Sequence, residues 1–181
     1  INILFSQGQI NRLIQVKYPS DIKLDEFYFS KIELNNFNDI YLLDQFSSKI
    51  ILFKLNENEV FYSNGLTFSN QLNATFFDIS SYQGLEIFVT DLDNNKIHFF
   101  DKRLNFISSL NLNNIDNNIE FPRNIEINSY GHLWISSDNR NSLYKIDING
   151  DILNETYGNS FQSFFEIKEF DLNKYNEIGL I

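Results

Sequence analysis

A unit of about 46 residues recurs along this chain, and no other feature of the sequence limits the possible folds as tightly. Residues 87–101, IFVTDLDNNKIHFFD, align without gaps on 40–54, IYLLDQFSSKIILFK, at an offset of 47, and on 133–147, LWISSDNRNSLYKID, at an offset of 46. Leu133, Trp134 and Ile135 fall on Ile87, Phe88 and Val89, Leu143 on Ile97, and Asp147 on Asp101. Upstream of each copy lies a second shared unit: IELNNF (32–37), FDISSY (77–82), IEINSY (125–130) and, a fourth time, FDLNKY (170–175), spaced 45 to 48 residues apart.

Each copy is a series of short apolar runs rich in Ile, Phe, Leu and Tyr, divided by Asn, Asp, Ser and Gly clusters, which is the pattern of short strands and turns. In the third copy the strands are NIEIN, HLWIS, LYKID and DILNETY, and Asn149-Gly150 predicts a two-residue type I′ hairpin. With two prolines and seven glycines in the whole chain, the turns rely on Asn and Asp, which tolerate left-handed backbone. One four-stranded antiparallel sheet cannot bury both of its faces, so neighbouring copies must stack. Radial stacking predicts an all-β chain, a β-propeller of four-stranded blades of about 46 residues with about four blades represented. At 181 residues, 43% hydrophobic and 16% aromatic, the chain is long enough for such a core.

FPRNIEINSYGHLWISSDNRNSLYKIDINGDI and IFVTDLDNNKIHFFDKRLNF resemble the NHL-type repeats of β-propellers, with Pro122, Gly131, Asp91, Asn95 and Gly150 at matching positions. The departures are Ser137 where Asp44 and Asp91 stand, and Asn38 and Asn176 where the turn glycine is expected. The resemblance covers residues 28–181, with copies near 28–72, 73–120 and 121–165 and a partial copy at 166–181. It implies a propeller that usually has six blades. Residues 1–16 then have two readings, the remnant of a secretory signal or outer strands that complete the last blade. The blade count favours part of a longer propeller.

The formal charge of −10, from 14 basic and 24 acidic side chains, argues against nucleic acid as a partner. Cysteine is absent, so neither disulfides nor thiolate metal sites are available. No apolar run is long enough for a membrane-spanning helix. Phosphate-loop, nucleophile-elbow and HExxH signatures are missing. Asn73 and Asn154 open Asn-x-Thr sequons, which matter only in a eukaryotic secretory pathway.

In DLDNNKIHFFDK, Asp91, Asp93 and Asn95 have the first three spacings of a calcium loop, but Lys96 and Lys102 replace its glycine and its final glutamate, so a turn between strands is the simpler reading. The first strand of every copy carries an acid: Glu33, Asp78, Glu126 and Asp171. First strands line a propeller's axis, so these four carboxylates could converge on a divalent cation, or could instead pair with Lys31, Arg123 or Lys168. No cofactor is certain, and calcium on this set is the one candidate. His98, His132 and Trp134 are expected to serve packing or surface roles.

These readings lead to an expected non-catalytic binding scaffold whose loop face, with Asp91, Asn94, Asn95, Arg123, Asp138, Asn139 and Arg140, engages a protein, peptide or glycan. The alternative is a calcium-dependent propeller hydrolase or lyase, lactonase-like, built on the axial acids. A secreted or periplasmic location is expected, although the acidic composition suits a cytoplasmic one equally.

Overall fold

The computed structural model describes residues 2–6, 10–15, 28–35, 37–45, 48–54, 56–57, 59–63, 74–116, 119–138, 142–157, 167, 169–173 and 175–180. The described chain is all-β, apart from one 3-10 turn at Leu112–Asn114. Three antiparallel sheets have four strands each, in chain order. Blade 1 contains β3 (Phe29–Leu34), β4 (Ile40–Asp44), β5 (Lys49–Lys54) and β6 (Glu59–Tyr62). Blade 2 contains β7 (Phe76–Tyr82), β8 (Glu86–Asp91), β9 (Lys96–Asp101) and β10 (Phe106–Asn111). Blade 3 contains β11 (Pro122–Ile127), β12 (Leu133–Ser137), β13 (Ser142–Ile146) and β14 (Ile152–Tyr157). Two hairpins flank them, β1 (Asn2–Ser6) with β2 (Ile10–Gln15) and β15 (Phe170–Leu172) with β16 (Ile178–Leu180), and each remains a separate two-stranded sheet.

Successive residues of the middle strands enter different cores. Ile87 and Val89 pack with Tyr41, Leu43, Ile50 and Leu52 of blade 1, whereas Phe88 between them packs with Ile125, Leu133, Ile135 and Tyr144 of blade 3. Trp134 likewise leaves its neighbours to join Leu143, Ile167 and Phe170 against the last hairpin, so it is a core residue. A strand buried on both faces has no polar alternation, which explains the uninterrupted runs IYLL, IFV and LWI. Each such side chain contributes about 1.5–3 kcal/mol on burial.

Most turns at one end share one device. The side-chain oxygen of Asn35 accepts from the amides of Phe37 and Asp39, both at 2.9 Å. Asn128 accepts from Tyr130 and His132, and Asn173 from Tyr175 and Glu177. Asp101 and Asp147 do the same on the β9–β10 and β13–β14 turns. The fourth residue of these turns is left-handed: Asn38, Gly131, Asn176, Leu104 and Gly150. The expected type I′ turn at Asn149-Gly150 is corrected here. Only Gly150, φ 98°, is left-handed, and Asp147 anchors a three-residue loop. Blade 2 differs, with both Gln83 (φ 51°) and Gly84 (φ 66°) left-handed.

The register also revises the equivalence of the four acids. Tyr41, Phe88 and Trp134 face Glu33, Ser80 and Glu126, so Ser80 holds the blade 2 position. Asp78 lies two residues earlier, level with Lys31 and Asn124. Asn173, in the turn position of Asn35 and Asn128, puts Asp171 level with Glu126 and Glu169 level with Asn124.

Candidate functional site

The first strands are innermost, with β3 against β7, β7 against β11 and β11 against β15. Their side chains therefore form tiers along the axis. The deeper tier contains Lys31, Asp78, Asn124 and Glu169. Lys31 Nζ donates to Glu169 Oε1 at 2.6 Å and lies 3.9 Å from Asp78 Oδ1. Asp78 Oδ2 accepts from Asn124 Nδ2 at 3.3 Å and from the Ile125 amide at 3.1 Å. Burial pushes the Asp78 carboxyl up, against the pull of the Lys31 charge and these bonds.

The next tier, nearer the turns, contains Glu33, Ser80, Glu126 and Asp171, and these four members include no cation. Glu33 Oε1 accepts from the Ser81 amide at 3.0 Å and from Ser81 Oγ at 2.8 Å. Ser80 Oγ donates to Glu126 Oε2 at 3.3 Å and accepts from the Ile127 amide. Burial pushes Glu33 up to about 7, with the Asp78 charge adding and the Ser81 bonds opposing. Glu126 is pushed up to about 8, first by burial and then by the charges of Glu33, Asp171 and Asp78. Together with Leu34, Asn35, Ser81, Gln83, Gly84 and Ile127, this tier lines a cavity of about 260 Å³. Near neutral pH both carboxyls therefore keep their protons more readily than ordinary carboxyls do.

The expected convergence of Glu33, Asp78, Glu126 and Asp171 on one metal is split by the register, because Asp78 belongs to the Lys31 tier. Among the described residues no three His, Asp or Glu side chains gather closely enough to hold a metal ion.

The described members of the expected loop face, Asp91, Asn94, Asn95, Arg123 and Asp138, lie at the opposite end, with the β8–β9 turn and the connections between blades. Asp91 is 0% exposed, bonded to His98 Nε2 at 2.9 Å, Asn94 Nδ2 at 2.9 Å and the Thr75 amide at 3.1 Å. Burial would raise its carboxyl, but these bonds prevail and hold it below the ordinary range. Asp91 therefore presents nothing to a ligand, contrary to expectation, and 91–95 is a scaffold turn. Asn95 accepts from the Phe121 amide at 2.8 Å and donates to Asn113 at 3.1 Å. Arg123 pairs with Asp138 at 2.8 Å and lies over the Phe77 ring. Asn139, Arg140, Lys168 and Asn73 lie outside the described residues.

Sequence reasoning missed Ser80 and Ser81, although a signal existed. The second strands recur at offsets of 47 and 46, the upstream units at 45 and 48, and the second strands carry the true register. It also missed that buried His98 links Asp91 to exposed Ser109, at 2.7 Å, between the rings of Phe76 and Phe106.

No protein-family model and no curated protein matches this sequence. Solved structures do. A streptogramin B lyase structure superposes with a TM-score of 0.64 over 98% of this chain and 60% of that chain, at 17% identity. This chain is a β-propeller. Kuenenia stuttgartiensis hydrazine synthase matches with a TM-score of 0.64 over 95% of this chain and 43% of that chain, at 11% identity. The nidogen/laminin complex matches with a TM-score of 0.58 over 80% of this chain and 52% of that chain, at 16% identity. The likeness is one of fold, and this chain spans between 43% and 60% of the length of these structures.

Proposed function

We propose that this chain is a non-catalytic binding module, a stretch of NHL-type propeller that holds a protein, peptide or glycan ligand at the turn end of its axis. One observation carries the reading: the tier of Glu33, Ser80, Glu126 and Asp171 opens into a polar cavity with no cation on its own level among the described residues. The expected loop face is set aside because Asp91, Asn95 and Arg123 are already committed to internal partners. In support of the NHL-type assignment, Pro122 opens β11, and Asn95, Gly131 and Gly150 occupy left-handed backbone at the turns.

The test is amide NMR of the chain titrated with methylguanidinium as a minimal probe. Shifts should concentrate at Ser80, Ser81, Glu33 and Glu126 and disappear in Glu126→Gln. Shifts confined to 91–95, Arg123 and Asp138 would return the site to the other end. A second reading, a divalent cation held by Glu33, Glu126 and Asp171 in a hydrolase or lyase, would need the three carboxylates that line this cavity to close on one ion, and a calcium titration separates it from the first.

A further inference from the structure

The turns at the cavity mouth's end of the axis carry exposed aromatic side chains. Phe37 is 56% exposed, Tyr130 73% and Tyr175 70%. They occupy one equivalent place, the third residue of the Asn-anchored turn, where the amide is tied down by the Asn35, Asn128 or Asn173 side chain and the ring projects from the apex. Blade 2 puts its aromatic two positions away, where half-buried Tyr82 lies against Gly131.

The turns also touch one another in sequence. The Phe37 ring covers Gly84, which lines the cavity, Tyr82 reaches the next turn at Gly131, and Ser129 donates to Asn176 in the one after. A chain of turn-to-turn contacts thus carries these aromatics along the end of the axis at which the acidic cavity lies, with Phe37 reaching cavity-lining Gly84. Isolated apolar residues on a surface need no explanation, but an equivalent one on three turns at the same end of the axis does.

We propose that these aromatics and the acidic mouth together form a docking surface for a basic peptide, with an arginine or lysine side chain seated among Glu33, Glu126 and Asp171 and flanking cations resting on Phe37, Tyr130 and Tyr175. The proposal rests on the reading that the mouth binds a ligand, and goes beyond it by naming the partner's chemistry.

Charge complementarity selects this partner. Among the described residues the mouth has three carboxylates and no cation on its level, and Lys31 is held one tier deeper by Glu169 and Asp78. Among the described residues the turns add Asp39, Glu86 and Glu177 beside the aromatics, whereas Lys102 and Arg103 sit on the outer β9–β10 turn; Lys174, next to Tyr175 in the sequence, lies outside the described residues. Ring faces attract guanidinium and ammonium groups, and carboxylates in partial burial reward a cation more than a neutral sugar hydroxyl.

The experiment is fluorescence anisotropy of a labelled, unstructured peptide of alternating Arg and Gly at 0.15 M salt, roughly physiological, with a Glu-Gly peptide and maltohexaose as comparisons. The Arg-Gly peptide should bind the unaltered chain and the Glu-Gly peptide should not. Tyr130→Ala and Tyr175→Ala should each weaken binding about three- to tenfold, with Tyr130→Phe restoring it, and Glu57→Gln on the outer β5–β6 turn should change nothing. Circular dichroism of each variant checks that the fold is kept.

Sensitivity to Glu126→Gln without sensitivity to the tyrosine changes would overturn the aromatic part and leave the mouth as the site. Binding indifferent to all of these changes would show a diffuse counterion effect and overturn both readings. Tyr130-dependent binding of maltohexaose with none of the Arg-Gly peptide would make the surface a sugar platform and overturn the basic partner.

Discussion

Glu126 gains more from a proton in the folded state than in the unfolded chain, because burial and three neighbouring carboxylates oppose its charge. The sign of its linkage follows. With its carboxyl raised from the ordinary value of about 4.5 to about 8, the folded chain binds more protons than the unfolded chain between those values, so stability falls as pH rises through that window. Glu33, raised to about 7, acts in the same direction. Glu126→Gln removes the charge while keeping a side-chain oxygen for the Ser80 hydroxyl. It should leave stability near pH 4 almost unchanged and raise it at pH 8 by about 1–3 kcal/mol after solvent screening, read as a flatter midpoint-against-pH curve in urea unfolding. A cationic peptide needs the ionised form, so its affinity should rise over the same window in which the free chain loses stability. Gly84 makes a different kind of demand. At φ 66°, with the space for a β-carbon within 2.5 Å of the Phe37 ring, Gly84→Ala should cost about 1–2 kcal/mol and displace Phe37 from the rim.

At the scale of single elements, the Asn-anchored turns decide where the aromatics point, and their chemistry is a side-chain acceptor three bonds from the Cα. Asn128→Ala frees the Tyr130 and His132 amides and should cost about 1–2 kcal/mol, whereas Asn128→Asp should retain most of that stability, because Asp101 and Asp147 already perform the same task in sister turns. On the β8–β9 turn, Asp91→Ala strands the His98 ring nitrogen, the Thr75 amide and the Asn94 amide group in a buried place. About 2–4 kcal/mol should be lost, measurable as a drop in the urea midpoint. These elements differ in how plainly the sequence marks them. The runs around Tyr41, Phe88 and Trp134 announced their own register, because a strand buried on both faces tolerates no polar residue and so marks its place. The first strands could not do so. Only one of their faces is packed, and the match of FDISSY to IEINSY placed Tyr82 on Tyr130 when Tyr82 occupies the Asn128 position. Asp78 was therefore grouped with Glu33 and Glu126, although it belongs with Lys31. Asp91 was misread for a related reason: an acid in a turn sequence looks exposed, and its burial depends on His98, seven residues away on the next strand.

For the whole molecule, the question is whether the axis holds its carboxylates apart or draws them onto a cation. Blades that share cores through Ile87 and Phe88 on opposite faces restrain the spacing of their first strands, so the tiers are set by packing and not by the acids themselves. The deeper tier has internal compensation, since Lys31 spans from Asp78 on blade 2 to Glu169 beside the last hairpin. Calcium would have to displace the protons that Glu33 and Glu126 favour and do without Asp78, leaving fewer hard oxygen ligands than the six to eight it prefers. Weak occupancy at millimolar concentration gives a stabilisation of only a few tenths of a kcal/mol, so 5 mM calcium, a concentration of the order of a weak site's dissociation constant, should move the thermal midpoint by less than about 1 °C. The Arg-Gly peptide at saturating concentration should raise it by several degrees, because it binds the folded mouth alone. A large rise with calcium that vanishes in Glu126→Gln would reverse this ranking. It would mean that Glu33, Glu126 and Asp171 can close on an ion despite the packing of the blades, and the metal-dependent reading would then take the place of the binding module.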